Sequence, residues 1–112
     1  MDALLSAAGL PDIGVLFPDS DPKFEGADCI GLLKNVVSRL PDYEIINVSV
    51  CIIAQKPKIA PRRKEMCAAL AAALGINETR VNVSATTSEL LGITGEGKGL
   101  AASCDVLIKL KR

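Results

Sequence analysis

Glu44-Ile45-Ile46-Asn47-Val48-Ser49-Val50-Cys51-Ile52-Ile53-Ala54 reads as a β-strand with one strongly apolar face. Ile46, Val48, Val50, Ile52 and Ala54 are expected on the core side, and Asn47, Ser49 and Cys51 on the other. Downstream, Pro57 and Pro61 bound a basic loop, and Pro61 opens a helix at its first turn. Met66, Leu70 and Leu74 form the stripe of that helix, and Gly75 closes it. Residues 80–85 alternate again through Val81, Val83 and Ala85. Residues 86–99 hold Gly92, Gly95, Gly97 and Gly99, a loop with room for one helical turn. Residues 100–110 alternate through Leu100, Ala102, Cys104, Val106, Ile108 and Leu110.

Upstream of the first strand, Ile30, Leu33, Val37 and Leu40 recur at helical spacing over residues 28–40, and Pro41 ends that helix. Residues 10–28 hold Pro11, Pro18, Pro22, Gly14 and Gly26, a structured loop with space for one helical turn. A short helix over 2–8, capped by Gly9, begins the chain. The order is helix, loop, helix, strand, helix, strand, loop, strand. It implies an α+β two-layer sandwich in which helices cover one face of a small mixed sheet, with 1–112 as a single domain.

The 112 residues fit one domain, and an apolar fraction of 49% is enough to bury a core. Thirteen cations balance thirteen anions, and aromatics are 3% with no Trp. A dedicated nucleic-acid binder would carry a basic surplus or stacking aromatics, so none is expected. The absence of a run of about 18 apolar residues argues against a membrane span. Met1-Asp2-Ala3-Leu4-Leu5 lacks the basic start of a signal peptide, which predicts a cytoplasmic protein. The chain has no His, the commonest metal ligand and neutral-pH base. Cys29, Cys51, Cys67 and Cys104 match no zinc spacing and are expected to be reduced and mostly buried.

Three segments carry candidate chemistry. In Asp12-Ile-Gly-Val-Leu-Phe-Pro-Asp-Ser-Asp-Pro22, Asp beside Pro is common turn chemistry. The functional alternative is a rigid acidic loop holding a ribose hydroxyl or a cation. In Ala54-Gln-Lys-Pro-Lys-Ile-Ala-Pro-Arg-Arg-Lys64, five cations sit between a strand end and a helix start. That placement suits an anionic ligand, against the alternative of a solvated basic loop. In Val83-Ser-Ala-Thr-Thr-Ser-Glu89, Thr86-x-x-Glu89 fits a capping box. The alternative is a diphosphate cradle, in which hydroxyls donate to phosphate beside one carboxylate for a hard cation.

Together, Asp12-Ile-Gly, Phe17-Pro-Asp-Ser-Asp-Pro22, Gly26-Ala-Asp28, Ile53-Ala-Gln-Lys-Pro-Lys58, Val81-Asn-Val, Ala85-Thr-Thr87, Leu91-Gly92 and Gly99-Leu-Ala-Ala102 resemble the 2-C-methyl-D-erythritol 2,4-cyclodiphosphate synthases, in order and in spacing. The resemblance runs to about residue 110. It implies cyclisation of 4-diphosphocytidyl-2-C-methyl-D-erythritol 2-phosphate with release of CMP, in non-mevalonate isoprenoid biosynthesis. It also implies a homotrimer with sites between subunits, and zinc plus magnesium or manganese. Asp12, Gly14, Phe17, Asp19 and Asp21 would meet the methylerythritol part. Ala54, Gln55, Lys56, Pro57, Lys58 and Ile59 would form the cytidine loop. Thr86, Thr87 and Ser88 would bind nucleotide and phosphate, Glu89 the second metal, and Thr87 and Glu89 would serve catalysis.

The sequence departs from the family at telling places. The Asp-x-His pair and the later His segment that supply the zinc ligands are absent, so the chain resembles the family with its first part removed. Ser84 and Leu90 stand where Lys is usual. Ile93, a candidate substrate contact, and Glu96 stand where Phe and Arg are usual, which argues against an isoprenoid diphosphate at the three-fold axis. One metal would leave the attacked phosphate unpolarised, so this chain alone is expected to be inactive or slow. The alternative is a non-catalytic trimeric relative, or a fragment that keeps cytidine-nucleotide binding. An unrelated small trimeric enzyme or binding module is a third reading, since fold alone does not fix function.

Overall fold

Strand β1 (Tyr43–Ile53) is hydrogen-bonded on both sides and forms the centre of a three-stranded sheet. The computed structural model describes residues 1–18, 28–56, 58–87 and 89–111. β2 (Val81–Thr86) pairs parallel with β1, from Val48↔Val81 to Ile53↔Thr86. β3 (Ala101–Leu110) pairs antiparallel with it, from Tyr43↔Leu110 to Ile53↔Ala101. The order β2-β1-β3 makes the sheet mixed, as the sequence implies.

The helices are α1 (Asp2–Ala7), α2 (Ile13–Leu16), α3 (Cys29–Ser38), α4 (Arg63–Leu74) and α5 (Gly92–Gly95), with 3₁₀ turns at Ala60–Arg62 and Glu78–Arg80. The longer helices share the layer above one face of the sheet: Leu4 of α1, Leu33 of α3, and Leu70 and Leu74 of α4 surround a hollow floored by Val48, Val50, Cys104 and Val106. α4 crosses from β1 to β2, the connection a parallel pair requires. Both single-turn helices, α2 and α5, fall in the loops where the sequence leaves room for them. The acidic loop beyond Pro18, with Asp19 and Asp21, lies outside the described residues, as do Pro57 and Ser88.

The core departs from the simple alternation in one place. The β1–β3 register slips between Ile45 and Asn47, so Ile46 is an extra residue on β1. The slip turns Ile45, 6% exposed, onto the core face beside Val48 and Ile52, and leaves Ile46 half-buried. The expectation that Ile46 begins the core face is therefore corrected: a bulge inverts the two-residue period. At this irregularity Arg80 donates from Nη1 to Ile45 O at 3.3 Å and contacts Glu44 Oε1 at 3.2 Å. Charge and hydrogen bond together clip the start of β2 to the bulge.

On α3 the buried stripe is Leu33, Val36 and the following Leu40, while Ile30 is 36% exposed. Asp28 caps this helix, its Oδ1 accepting from Ile30 N at 3.2 Å. On α4 the buried residues are Cys67, Ala71, Ala73 and Leu74, with Met66 and Leu70 at the margin. Gly75, at φ +70°, ends it with bonds to Ala72 O and Ala71 O. The expectation of mostly buried thiols holds only for Cys67; Cys51 and Cys104 are half-buried and Cys29 is exposed, all of them free.

Leu5 is fully buried and ties α1 into the core. Leu5→Ala is expected to cost about 2–5 kcal/mol, the usual range for a buried leucine. Urea denaturation should show a lower midpoint at unchanged slope. An unchanged midpoint would mean that α1 is not docked in solution.

Candidate functional site

β1 and β2 run parallel, so their carboxyl ends, at Ile53 and Thr86, lie side by side. Ala54 N donates to Thr86 O at 3.1 Å and keeps the chain segments together just beyond the ladder. Ala54, Gln55, Lys58, Ile59, Ala60 and Pro61 on one side, and Ala85, Thr86 and Thr87 on the other, line a cleft of about 400 Å³. Two of the three segments singled out in the sequence thus converge at one strand-end cleft. Clefts at the carboxyl ends of parallel strands are common ligand sites, because the loops there are free to vary over a rigid base.

The cleft offers an unusual polar group. Gln55 Oε1 is buried and has no hydrogen-bond partner among the described residues. A buried unsatisfied acceptor carries a desolvation cost of about 1–3 kcal/mol that a ligand donor would remove. Lys58 supplies the cation. Thr87 Oγ1 accepts from Glu89 N at 3.3 Å, which leaves its O–H as a donor. Thr86 Oγ1 reaches Thr87 O at 3.4 Å.

The capping box is not formed. No helix begins at Thr86, which ends β2; α5 starts only at Gly92. Glu89 and Leu90 instead adopt left-handed conformations, with φ of 55° and 66°. Two consecutive non-glycine residues in that region store strain of the order of 1 kcal/mol or more each, a pattern associated with ligand-holding loops. The Thr87–Glu89 bond stabilises the turn and leaves the Glu89 side chain exposed.

The cations of the basic segment separate. Lys58 lines the cleft. Arg63 turns to β2, donating from Nε to Val83 O at 2.8 Å and from Nη2 to Asn82 Oδ1. Arg63 and Lys64 border a different groove with Glu78, Thr79 and Asn82. Arg62 and Glu65 lie 4.0 Å apart on the surface, and Lys56 is exposed. The expected cluster of five charges is thus a single lysine at the cleft and a brace between α4 and β2. Arg63's brace has no signal in the sequence beyond its charge.

The third segment sits elsewhere. Asp12 caps α2, its Oδ1 accepting from Val15 N at 3.1 Å, and Asp2 Oδ1 accepts from Ile13 N at 2.9 Å. Local turn chemistry accounts for Asp12. A Cβ on Gly14 would stand 3.2 Å from that carboxylate, so the glycine permits the close cap. Phe17 is a core residue, 6% exposed, with the Arg39 guanidinium 5.5 Å from its ring centre. Ile13 borders a groove with Met1, Ala102 and Cys104 at β3, across the sheet from the cleft. Within one chain, then, Asp12, Gly14 and Phe17 do not join Gln55, Lys58 and Thr87. Ile93 is exposed in α5, and Glu96 pairs with Lys98 at 2.9 Å on the surface.

Among the described residues no three His, Cys, Asp or Glu side chains come together as a metal cluster. Burial pushes the Cys104 thiol up, outweighing the nearby amino terminus, so it is a poor thiolate ligand. A zinc ion does not fit these residues. Glu89 presents one exposed carboxylate oxygen pair, too few protein ligands to hold magnesium or manganese unaided.

These features define a two-layer α+β domain with a polar cleft at the ends of its parallel strands. Residues 1–109 match the YgbB family. The 2-C-methyl-D-erythritol 2,4-cyclodiphosphate synthase of Clostridium novyi is 52% identical over 99% of this chain and 72% of its own length. The synthase of Pectobacterium atrosepticum is 50% identical over 98% of this chain and 68% of its own. Among solved structures, the IspF–CDP complex of Plasmodium falciparum superposes with a TM-score of 0.86 at 32% identity, over 99% of this chain and 67% of that one. The bifunctional IspDF of Campylobacter jejuni gives 0.92 at 42%, over 97% of this chain and 30% of that one. The chain belongs to the YgbB family, that of the 2-C-methyl-D-erythritol 2,4-cyclodiphosphate synthases.

The strained turn yields a direct test. Leu90 is 68% exposed, so little packing is lost when it is replaced. Leu90→Gly is expected to leave stability unchanged or raise it by up to about 1 kcal/mol, because glycine adopts the left-handed region without strain. Urea denaturation measures it; a loss of more than about 1 kcal/mol would refute the strain.

Proposed function

We propose that the strand-end cleft holds the cytidine diphosphate part of 4-diphosphocytidyl-2-C-methyl-D-erythritol 2-phosphate, and that the chain acts as a subunit of a cyclodiphosphate synthase. The observation that carries this is the meeting of Gln55 and Lys58 with Thr86 and Thr87 around one cleft that contains an unsatisfied buried acceptor. Gln55 offers its acceptor to an exocyclic amino donor, a group that cytosine has. Lys58 offers a charge, and Thr87 a hydroxyl proton, to diphosphate oxygens. Ala54, Lys56, Pro57, Ile59 and Ser88 are assigned to the nucleotide loops, and Glu89 to the second metal.

In the reaction, an oxygen of the 2-phosphate forms a bond to the nearer phosphorus of the diphosphate. The bond from that phosphorus to the CMP oxygen breaks, and CMP leaves. This chain's residues contribute binding and alignment. Phosphoryl transfer depends largely on both. Asp12, Gly14, Phe17, Asp19 and Asp21 are assigned to the methylerythritol end, and Ile93 to the substrate surface. Asp12 and Gly14 lie across the sheet from the cleft, which favours a homotrimer in which neighbouring copies complete each site. Exposed Leu90, Leu91, Ile93 and Leu100 supply apolar surface for such contacts. Among the described residues no helix is long and apolar enough to cross a membrane.

CMP or CDP titrated against the folded chain should shift the backbone resonances of Gln55, Lys58 and Thr87 at millimolar ligand. Lys58→Ala together with Thr87→Ala should weaken binding about tenfold or more. Shifts confined to the Arg63–Lys64 groove, or none, would reject the assignment.

A second reading is favoured by the donor set, which lacks histidine and a metal cluster among the described residues. The 112 residues on their own would then bind cytidine nucleotides but turn over substrate slowly. With zinc and magnesium added, CMP release is expected to fall at least about a hundredfold below that of the Clostridium novyi enzyme. Turnover within tenfold of that enzyme would overturn this second reading and leave the first standing.

A further inference from the structure

The loop between β1 and α4 is tied to β2 at both of its ends. At its start Ala54 N donates to Thr86 O. At its end Arg63, the first residue of α4, donates from Nε to Val83 O at 2.8 Å and from Nη2 to Asn82 Oδ1. Carbonyl directions alternate along a strand, so Thr86 O, which faces the β1 side, places Val83 O on the opposite edge of β2. The loop therefore straddles the carboxyl end of β2, where Thr86 and Thr87 emerge. Val83 is fully buried and Asn82 exposed, as side chains on opposite faces of the sheet would be. The Arg63 guanidinium thus wraps the strand edge, with one nitrogen on the main chain and another on a side chain of the far face.

Among the described residues no other hydrogen bond joins positions 55–63 to β2. The start of α4 has no side-chain cap of its own. The Arg62–Glu65 pair lies within the helix end, and Arg62 N bonds Ile59 O inside the loop, so neither reaches a strand. We propose that Arg63 is a positioning residue for the strand-end cleft: its grip on Val83 and Asn82 holds the loop that carries Gln55 and Lys58 in place opposite Thr86 and Thr87.

The choice of ligand rests on the nucleotide reading of the cleft, whereas the grip stands on geometry alone. Arg63 is exposed, and exposed hydrogen bonds contribute little to folding. The buried contacts of α4 begin a turn further on, at Cys67, Ala71 and Leu74, so the helix stays docked without Arg63. Its first turn and the loop before it then gain freedom. Gln55 and Lys58 sample more positions, and that freedom has to be given up on binding. Arginine suits the role, because two nitrogens of one rigid plane reach two acceptors at once, which a lysine ammonium does not reproduce. Arg63 itself lies outside the cleft and acts only through the loop.

CDP titration, urea denaturation and backbone resonances of the 112-residue chain test it. Arg63→Ala should weaken CDP binding about tenfold. The same change should move the urea midpoint by less than about 0.5 M. Asn82→Ala removes no charge and should weaken CDP binding about threefold. Added to Arg63→Ala it should weaken binding no further, because the pair acts as a unit. Asn82→Asp keeps the acceptor and should bind CDP within about twofold of the unaltered chain. Before CDP is added, Arg63→Ala should shift the amides of Lys58 and Ile59 and leave those of α3 in place. Unchanged CDP affinity in Arg63→Ala overturns the proposal. So does a loss of affinity matched by a large fall in the urea midpoint, which makes Arg63 a structural residue only. Additive losses in the double variant also overturn it and reduce the effect of Arg63 to its charge. If the unaltered chain takes up no CDP, the nucleotide reading falls, and the ligand-free amides decide alone: shifts at Lys58 and Ile59 uphold the positioning of the loop, and their absence overturns it.

Discussion

β1 is bonded on one edge to a parallel strand and on the other to an antiparallel one, and its bulge at Ile46 decides which side chains enter the core. Without the extra residue, Ile45 would lie on the opposite face from Val48 and Ile52, and β3 could not match both ends of β1 at once. Arg80, standing at the head of β2, gives the displaced Ile45 carbonyl a donor and draws Glu44 in beside it. Because Val81 follows directly and pairs with Val48, this clip also sets the register of the parallel pair. An exposed ion pair contributes little energy. Its value here is geometric.

The cleft follows from that register. With Ile53 opposite Thr86, the loops after β1 and β2 leave the sheet together, and Gln55 and Lys58 face Thr86 and Thr87. Arg63 braces the start of α4 against β2 from below. The loop that follows Thr87 then turns through two left-handed residues before α5. Rigid strands, a braced helix and a strained turn leave the site little to lose in ordering when a ligand enters, a general route to affinity in a small domain.

The same sheet is asymmetric in what it covers. Helices bury one face around Val36, Val48 and Val83, while the other face and the β3 edge present Leu107 and Leu110 to solvent. The loop from Glu89 to Leu100 adds Leu90, Leu91 and Ile93 to this exposed apolar surface. Among the described residues the helices cover one face only, and the apolar side chains of the other stay exposed.

Much of this was legible in the residues. Helical and two-residue periods located the three longer helices and the strands to within a residue or two, because apolar spacing responds to a local geometry. The glycine at position 75 marked a helix end for the same reason. The eight short segments, taken in order, pointed to the synthase family because their order and spacing match it along the chain. Tertiary structure decided the rest. The bulge at Ile46 arises from the need of β1 to satisfy two partners, and no local pattern encodes it. The division of the basic run, with Lys58 at the cleft and Arg63 on Val83 O, depends on where α4 starts relative to β2. Thr86-x-x-Glu89 has the spacing of a capping box, yet the ladder to β1 claims Thr86 for the strand, and no helix is there to cap. Residue type and spacing thus determined which elements form and which chemistry is available, because both are set within a few residues along the chain. Which groups meet was decided by strand register, set by contacts between residues far apart in sequence.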